Sequence, residues 1–492
     1  MRVHLSAERR VAGVVFLVAL VPRLAVPWTG AGLGGSFGYD GGVYYAAADA
    51  LLHGRLPYAD YTLLHPPGIV LALTPCAWLG TVTTDHTGYM VAITAFAVLG
   101  ALNAALVARL ANRLGWGHRG ALAGGLAYAL WYGALGAEFG VRLEPLGNFL
   151  LLLGLHALVR AEGRPGRRWP LLAGVAIGAA LATKIWWTVP AAVVLAALLA
   201  SPSRRRRAAW YTAGVAVGVT AVAGPFFAAA PGPMWRLVVL DQLNRPRNRH
   251  ELWRLARITG LGQLGPGLPP VTWYLMALVG VAVAAAGCAA AWRAPYGRVV
   301  VALALIQLGV LLVAPTYYEF YDDYLGVALG LVAGAALRER VAARAPAGRW
   351  QRVGAAAAVA GLVAVDVVAP TPPTRPFPVA ALRPAVAGVR CVMSNTPSAL
   401  IYLDVLSSGL AHHCPQWVDV AGRLYGPDAT GSSRPHAGAG TNARWQRDLT
   451  RYLLAGQRVV LFWPGQLVGP ALGRRLARSG VVARRRHVVV YR

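Results

Sequence analysis

Long apolar stretches separated by short arginine-rich connections recur along the first three quarters of the chain. Most of these stretches are long enough to cross the roughly 30 Å hydrocarbon core of a bilayer as helices. The pattern predicts about eleven membrane spans, near residues 11–28, 88–109, 120–137, 143–159, 169–183, 186–202, 208–229, 271–292, 299–315, 321–337 and 353–370. The whole chain has 57% hydrophobic and 13% charged residues, and residues 1–370 are predicted to form a polytopic α-helical membrane module.

The placement of charge predicts the orientation of these spans. Arginine clusters fall in alternate connections, as expected for cytoplasmic loops. Of the 19 acidic residues only Glu8, Glu162 and Glu339 fall on that side, which leaves 19 − 3 = 16 at or beyond the outer face. We therefore expect a multi-pass plasma-membrane protein with a cytoplasmic N-terminus and with its chemistry or binding outside. The net charge of +28 follows from this topology, so nucleic acid is not an expected partner.

The composition and the hydropathy pattern of the chain change after Pro370. A proline-rich linker at 371–378 leads into short apolar strands that alternate with helices. The predicted strands are Val389–Met393, Trp417–Val420, Arg458–Phe462 and His487–Tyr491, and the predicted helices are Pro397–Leu410, Ala443–Ala455 and Gly469–Ser479. This order predicts a small α/β domain at residues 371–492, placed outside by the parity of eleven spans.

Two cysteines begin adjacent predicted strands of that domain. An oxidising compartment would permit a disulfide between Cys391 and Cys414. Two buried free thiols are the alternative.

The first long connection, residues 30–85, is more than a linker. Asp40-Gly-Gly-Val-Tyr-Tyr45 opens a predicted amphipathic helix that stops at His53-Gly54. His65-Pro-Pro-Gly68 starts a second, apolar helix with a proline in its first turn. We expect two helices along the outer interface, each headed by an ionisable side chain, to roof a membrane cavity.

Together these motifs resemble the GT-C glycosyltransferases, and are most similar to the bacterial branch of aminoarabinose and protein-mannosyl transferase-like enzymes. The resemblance implies a multi-span enzyme that takes a sugar from a polyprenyl-phosphate carrier. It also implies transfer with inversion to an acceptor at the outer face of the membrane.

The resemblance assigns roles to two residues of this loop. Asp40 matches the catalytic aspartate, which would act as the base; a plain helix N-cap is the alternative. The second acid of the family's Asp-Glu pair is Gly41 here. His65 matches a histidine or lysine that faces the donor phosphate, with an interfacial helix cap as the alternative. Leu64 replaces a glutamate of the aminoarabinose branch, so no metal is expected at this point; a divalent metal elsewhere stays open.

Lys184 is the only lysine of the chain. It lies inside the apolar run Trp169–Ser203, whose two flanks carry arginine clusters, so the run is predicted to enter the bilayer and turn back near the lysine. An intramembrane charge indicates a functional site. We expect Lys184 to neutralise the carrier phosphate as a point charge, with snorkelling to the headgroups as the alternative.

Two further clusters fall at the predicted outer ends of spans. Arg142 could clamp a phosphate and Glu144 could contact sugar hydroxyls, although mutual pairing with Glu138 at a helix end explains them equally well. In the aromatic stretch 316–324, Glu319 and Asp323 are candidate sugar ligands; the tyrosines around them also fit an interfacial belt.

A basic segment violates the positive-inside pattern. Residues 236–257 contain Arg245, Arg247, Arg249, His250, Arg254 and Arg257 on the predicted outer side. The segment, with Arg245 as its candidate ligand residue, could guide a lipid phosphate or hold an anionic acceptor. A helix resting on anionic headgroups is the alternative.

The sequence thus predicts an inverting glycosyltransferase that moves a sugar from a polyprenyl-phosphate carrier to an envelope glycan, lipid or protein. A flippase for lipid-linked sugars would share the buried charges but predicts internal repeats, which the sequence does not show. A non-catalytic envelope scaffold would not need charges at cavity depth.

Overall fold

The computed structural model describes residues 2–29, 38–245, 247–260, 269–339, 377–425, 439, 442–462 and 467–492. The helices of the first three quarters are α1 Arg2–Thr29, α2 Tyr39–Leu52, α3 Gly68–Val82, α4 Asp85–Ala111, α5 Gly117–Leu130, α6 Tyr132–Glu138, α7 Leu143–Ala161, α8 Arg168–Leu181, α9 Thr188–Leu199, α10 Arg205–Ala229, α11 Pro231–Trp235, α12 Asp241–Leu243, α13 Glu251–Ile258, α14 Pro270–Ala291, α15 Gly297–Val313 and α16 Gly326–Ala336. The C-terminal helices are α17 Val379–Leu382, α18 Pro397–Leu403, α19 Leu406–Ala411, α20 Ala443–Leu453 and α21 Pro470–Ser479, and the strands are β1 Val392–Ser394, β2 Arg458–Phe462, β3 Val481–Arg485 and β4 Val488–Tyr491.

Helical segments occupy the predicted spans that the structure describes. Four of them are long and apolar enough to cross a membrane: Asp85–Leu130, Leu143–Ala161, Pro202–Ala229 and Val271–Ala291. Shorter apolar helices are Gly68–Val82, Arg168–Leu181, Ile185–Leu199 and Gly297–Val313. Gly115 and Gly117, both with positive φ, interrupt the first long run where a turn between two spans was predicted. The span at 353–370 lies outside the described residues, so the count of eleven stays a prediction.

The chain forms two compact units, each built from three segments. The membrane unit comprises Met1–Val26, Ala95–Ala221 and Arg247–Pro373, and the loop unit comprises Pro27–Thr94, Val222–Pro246 and Thr374–Arg492. The first long connection and the C-terminal region therefore share one unit. The predicted domain boundary at residue 370 lies outside the described residues and stays a prediction.

The three acids assigned to the cytoplasmic side meet loops assigned to the same side. Glu8 lies 3.5 Å from Arg109. Glu162 lies 3.4 Å from Arg204. A carboxylate oxygen of Glu339 accepts the backbone N–H of Arg119 at 3.1 Å. These contacts agree with the predicted grouping of the loops; which side is cytoplasmic stays a prediction.

Helices α8 and α10 meet through glycine. The contact is lined by Gly174 and Gly178 on α8 and by Gly214 and Gly218 on α10. A Cβ atom on Gly174 would lie 2.1 Å from the Tyr211 carbonyl oxygen, and one on Gly214 would lie 2.2 Å from that of Leu171. Small residues spaced four apart allow such backbone contact between membrane helices. The two helices therefore pack without an intervening layer of side chains.

The C-terminal sheet has the strand order β1-β2-β4-β3. Strand β1 pairs with β2 in parallel, and the β2–β4 and β4–β3 pairs are antiparallel. The predicted strand Trp417–Val420 is wrong. Beside it, the Gln416 side chain donates to the Val392 carbonyl at 2.7 Å, and Asp419 accepts the Gly422 N–H at 2.8 Å in a turn. The small α/β region is otherwise present.

Two other predictions for this region need correction. Strand β3 was missed because its arginines and valines are mostly exposed on an edge, so it lacks the alternation of a half-buried strand. The helix predicted at Pro397–Leu410 is two helices, α18 and α19, separated at Asp404, whose φ is 61°.

Helix α2 differs from its predicted amphipathic form. Every residue from Gly41 to Ala50 is buried. The helix stops as predicted, because Gly54 has a φ of 76° and follows the C-terminal residue His53. Helix α3 begins at Gly68, and Pro67 is its N-cap and so lies before the first turn.

Candidate functional site

Lys184 is held inside the membrane unit by a carboxylate and two aromatic rings. Its ammonium nitrogen lies 2.6 Å from Glu144 Oε1, and the two side chains are 3% and 1% exposed. The same nitrogen lies 3.6 Å from the centre of the Trp186 ring and 3.7 Å from that of Tyr321. Such contacts offset part of the desolvation of a buried cation. They favour an intramembrane role over snorkelling.

The local sequence explains how the lysine reaches this position. Helix α8 ends at Leu181, and Lys184 is extended, with φ −153° and ψ 133°, before the short 3-10 turn Ile185–Trp187. Glu144 lies in the first turn of α7, where the helix dipole favours an anion. A Cβ on Gly147 would lie 2.2 Å from the Trp187 ring, so glycine lets this turn approach α7.

A second buried ion pair lies in the same unit. Arg23 Nε donates to Glu138 Oε2 at 2.6 Å, and Arg23 Nη1 donates to the Ala19 and Ala129 carbonyls at 2.8 Å. Neither member of the pair is exposed. Glu138 and Glu144 thus each have a cationic partner from outside this turn, Arg23 and Lys184 respectively.

Hydrogen bonds continue from Glu138 to Asp323. The Tyr128 hydroxyl lies 2.8 Å from Glu138 Oε1 and 3.1 Å from Asp323 Oδ1. Asn148 Nδ2 donates to the Asp323 carbonyl at 2.7 Å and to its Oδ1 at 3.0 Å. Asp323 therefore sits within a buried network that joins α7 to the segment Glu319–Leu325, and its predicted contact with sugar competes with these bonds.

The remaining candidates of the membrane unit lie near the same segment. The Arg142 guanidinium lies 3.9 Å from the centre of the Phe320 ring. Glu319 is partly exposed and lies 3.2 Å from Arg257. Arg142 thus contacts the aromatic stretch that contains Glu319 and supplies Tyr321 to Lys184.

Part of the basic segment has a structural role. Arg254 is fully buried, and its guanidinium donates to the Leu311 and Leu312 carbonyls at 3.0 and 3.1 Å and to that of Pro315 at 2.9 Å. These are carbonyls at the end of α15, which lack partners within the helix. Arg254 is therefore not available to an anionic ligand, contrary to its inclusion in the predicted basic surface.

In the loop unit, Asp40 is the second residue of α2. The N-cap is Gly38, with a φ of 76°, and no side chain caps this helix end. The alternative role of Asp40 as the N-cap is therefore wrong. The Tyr39 hydroxyl donates to Asp419 Oδ1 at 2.9 Å and accepts the Ala421 N–H at 2.6 Å. The start of helix α2 is thus marked by Gly38 as its N-cap and by the two hydrogen bonds of the Tyr39 hydroxyl.

His65 is not the N-cap residue of helix α3, which is Pro67. The Tyr58 hydroxyl donates to the His65 carbonyl at 2.7 Å, and the His65 and Tyr44 rings lie 6.0 Å apart, edge to face. Tyr44 is a residue of α2, so α2 and the His65 turn are in contact.

A second polar cluster lies farther along α2. The Ser407 hydroxyl lies 2.7 Å from Asp49 Oδ2 and 2.6 Å from Asp85 Oδ1. Asp85 Oδ2 also accepts the Leu406 N–H at 2.9 Å, at the start of α19. His53 lies 3.2 Å from Asp49, and this hydrogen bond raises the pKa of His53. The cluster ties the first long connection to the C-terminal region.

Asp419, which the sequence did not single out, is an almost fully buried acid of the C-terminal region. Burial raises its pKa to about 6, while the Gly422 N–H, the Tyr39 hydroxyl and the charge of Arg245 act in the opposite direction. Arg245, the candidate ligand of the basic segment, is thus electrostatically coupled to Asp419.

Cys391 and Cys414 are joined by a disulfide, with their Cα atoms 5.7 Å apart. In the described parts of the chain, no three His, Cys, Asp or Glu side chains gather in a group that could hold a metal ion.

The candidate residues therefore form two groups. The membrane unit holds Arg142, Glu144, Lys184, Glu319 and Asp323; the loop unit holds Asp40, His65, Arg245 and the disulfide. Sequence reasoning missed Trp186 as a ring against Lys184, and Arg23 as the partner of Glu138. Arg23 carried a usable signal, because it is a charged residue within the predicted span 11–28.

Residues 63–316, more than half of the chain, match the model of Glycosyltransferase family 87. The match includes five of the candidate residues, namely His65, Arg142, Glu144, Lys184 and Arg245, and begins after Asp40. No curated protein sequence matches the chain.

Solved structures share its fold at low identity. ArnT from Cupriavidus metallidurans in the apo state superposes with a TM-score of 0.62 at 16% identity, over 97% of both chains. The same protein bound to undecaprenyl phosphate gives a TM-score of 0.54 at 17% identity, over 98% of this chain and 97% of that one. The oligosaccharyltransferase AglB from Archaeoglobus fulgidus, in complex with an inhibitory peptide and a dolichol-phosphate, gives 0.53 at 14% identity, over 93% and 69%. The predicted GT-C resemblance is confirmed.

Proposed function

Because the chain belongs to Glycosyltransferase family 87, we propose that it transfers a sugar, with inversion, from a polyprenyl-phosphate carrier to an envelope glycan, lipid or protein at the outer face of the plasma membrane. The observation that carries the donor class is the buried Lys184–Glu144 pair beside two aromatic rings. The neighbours with bound undecaprenyl phosphate and dolichol-phosphate support the same class of carrier.

The membrane unit would bind the donor. An ammonium group has three N–H donors, so pairing with Glu144 is compatible with a further bond from Lys184 to a phosphate oxygen. Before the donor binds, Glu144 balances the buried charge, which would be strongly destabilising without a partner. Arg142 would add a bidentate contact to the phosphate. Glu144 and Glu319 would accept hydrogen bonds from sugar hydroxyls.

The loop unit would supply the base. Asp40 would accept the proton of an acceptor hydroxyl, whose oxygen attacks the anomeric carbon of the sugar. The bond from that carbon to the phosphate oxygen breaks, and its electron pair leaves with the polyprenyl phosphate. Cationic residues stabilise this leaving group as charge develops on it. A single displacement of this kind inverts the anomeric centre. In this proposal His65 is a further phosphate ligand.

The test is a transfer assay with the purified full-length protein in detergent. A panel of radiolabelled polyprenyl-phosphate mannose, arabinose and glucose is incubated with protein and membrane extract, and label is followed into acceptors that lack the carrier. The proposal expects transfer from one donor and release of polyprenyl phosphate in equal amount. Movement of intact lipid-linked sugar across liposome membranes, without cleavage, would contradict it and support a flippase.

A further inference from the structure

The first turn of α2 is held by residues more than 350 positions away in the chain. The Ser398 hydroxyl donates to the Gly38 carbonyl at 3.2 Å, one residue before the helix begins. At the next position, the Tyr39 hydroxyl bonds Asp419 and the Ala421 N–H. These partners all belong to the C-terminal region of the loop unit.

The N-cap residue of the same turn contributes no side-chain hydrogen bond. That residue is a glycine, Gly38. Glycine also leaves the backbone with more freedom than any other residue. The distant contacts therefore supply side-chain hydrogen bonds that the N-cap residue cannot supply at this helix start.

Close packing acts two residues beyond Asp40, at Gly42. A Cβ atom on Gly42 would lie 2.1 Å from Ser398 Oγ and 2.9 Å from the Ser398 backbone nitrogen. Ser398 lies in the first turn of α18, so α18 and α2 approach each other without room for a side chain at residue 42. Asp40 is thus bracketed by held positions at 38, 39 and 42.

The Tyr39 hydroxyl is suited to donate a hydrogen bond to Asp419 at all ordinary pH values. Burial raises its pKa well above the ordinary value, with Asp419 as a further cause, so the group keeps its proton and donates. Asp419 Oδ1 accepts both this hydroxyl and the Gly422 N–H at 2.8 Å. The carboxylate therefore joins the helix start to the turn at residues 419–422.

We propose that Tyr39, Ser398 and Asp419 are positioning residues that fix the direction of the Asp40 carboxylate, so that the contacts of Ser398 and Asp419 with this helix start contribute to catalysis. This rests on the proposed role of Asp40 as the base. The physical reason is that a base must lie within hydrogen-bond reach of the proton it removes, and errors of about 1 Å lower the rate of reaction strongly.

Tyr39→Phe is the central variant, because it removes one hydroxyl and keeps the ring. Tyr452→Phe is the matched control: its buried hydroxyl also donates a hydrogen bond, to the Ser394 carbonyl at 2.9 Å, in the core of the C-terminal region. With the donor that supports transfer in the panel assay, kcat of Tyr39→Phe is expected to fall about tenfold while the donor KM stays within about twofold. Tyr452→Phe should leave kcat unchanged.

The Asp419 variants test the other side of this hydrogen bond, by comparison with a conservative substitution and by a double-mutant cycle. Asp419→Ala removes the acceptor and should lower kcat as much as Tyr39→Phe does, whereas Asp419→Asn keeps an oxygen acceptor and should lose less. The Tyr39→Phe/Asp419→Ala double variant should lose less than the sum of the two single losses, because the two changes share the removal of the Tyr39–Asp419 bond. Full additivity of the two losses would overturn the proposal.

Hydrogen–deuterium exchange needs no sugar donor, so it tests the positioning contacts independently of the proposed transfer activity. Hydrogen–deuterium exchange of the peptide covering residues 38–45, in the detergent-solubilised full chain, should rise in Tyr39→Phe and stay unchanged in Tyr452→Phe. Unchanged exchange in Tyr39→Phe, or an equal kcat loss in Tyr452→Phe, would overturn the positioning role. If Asp40→Asn stays active while hydrogen–deuterium exchange behaves as expected, the contacts of Tyr39, Ser398 and Asp419 do hold the helix start, and the assignment of Asp40 as the base is wrong.

Discussion

Lys184 and Glu144, forty residues apart in the chain, bring opposite charges to 2.6 Å inside the membrane unit. Their partnership changes what a substitution of either residue does, because removal of one leaves the other buried without its counter-charge. The pair itself carries no net charge, so each member compensates the other in the buried surroundings.

We expect Lys184→Ala to weaken the binding of undecaprenyl phosphate by roughly 2–4 kcal/mol, the order seen when one member of a buried charge pair is lost. Lys184→Arg should restore binding only in part, because a planar fork does not fit a point-charge site. Titration calorimetry in detergent measures both. Arg164→Ala, which removes one charge from an exposed predicted loop, is the control. If both Lys184 variants bind like the wild type, the phosphate site lies at Arg142 or the 245–249 segment.

Asp40→Asn should abolish transfer, to below a few per cent of wild type, while the protein still inserts and folds. The substitution keeps the shape of the side chain and removes the base, and no cap is lost because Gly38 is the N-cap. Transfer is measured in matched membranes beside Asp60→Asn, an exposed carboxylate whose oxygen accepts the Leu56 N–H at 2.6 Å. Retained transfer would assign the base to another residue.

Asp419 predicts a specific dependence of stability on pH. Burial raises its pKa from the ordinary 3.8 to about 6, so the folded protein favours the protonated form. The contribution of protonated Asp419 to the free energy of unfolding is fully present below about pH 4 and is lost as the pH rises through about 6. Melting temperatures between pH 4 and 7 should therefore fall more steeply in the wild type than in Asp419→Asn. Identical slopes would show that Asp419 titrates normally.

Gly174→Ala should destabilise the protein by about 1–3 kcal/mol, because the new methyl group meets a backbone oxygen that no rotamer change can move. Gly309→Ala is the matched control: it is also a helix glycine, in α15, but nothing lies within 4 Å of its Cβ position. The control should be neutral or slightly stabilising. Thermal unfolding in detergent compares the two, and equal losses would contradict the backbone contact.

The C-terminal region is expected outside the cell. A cysteine introduced at the exposed Arg478, in a chain whose free Cys76 and Cys288 are replaced by alanine, should react with a membrane-impermeant reagent in intact cells. Labelling only after lysis would reverse the orientation. Separately, reduction should change the gel mobility of the wild type through the Cys391–Cys414 disulfide.

The sequence predicted single residues better than their partners. Lys184 and Glu144 were each recognised, from an isolated charge in an apolar run and from a charge at a helix start. Their pairing could not be derived, because hydropathy and charge patterns carry no information on which helices pack side by side. Arg254 shows the reverse error: its charge predicted a surface ligand, and the structure uses it to satisfy carbonyls at the end of α15.

In the C-terminal region, helices and buried strands followed their hydrophobic patterns, and strands set by context did not. Strand β3 exists because β4 offers an edge, although its own sequence is mostly exposed. Trp417–Val420 has the apolar character of a strand, yet the Gln416 side chain already binds the neighbouring carbonyl of β1. Two contacts join distant segments, namely Tyr39 with Asp419 and Ser407 with Asp49. No local sequence pattern predicts either of them.

The glycine contact between α8 and α10 has a consequence for how a long-chain lipid could enter. Two helices that touch through their backbones have no side chains that could swing aside to open a gap between them. Lys184 follows α8 by three residues, so it is mounted on this inflexible pair. We therefore expect a lateral opening for a polyprenyl tail at another helix boundary, away from the glycine contact that precedes Lys184, the proposed ligand of the headgroup.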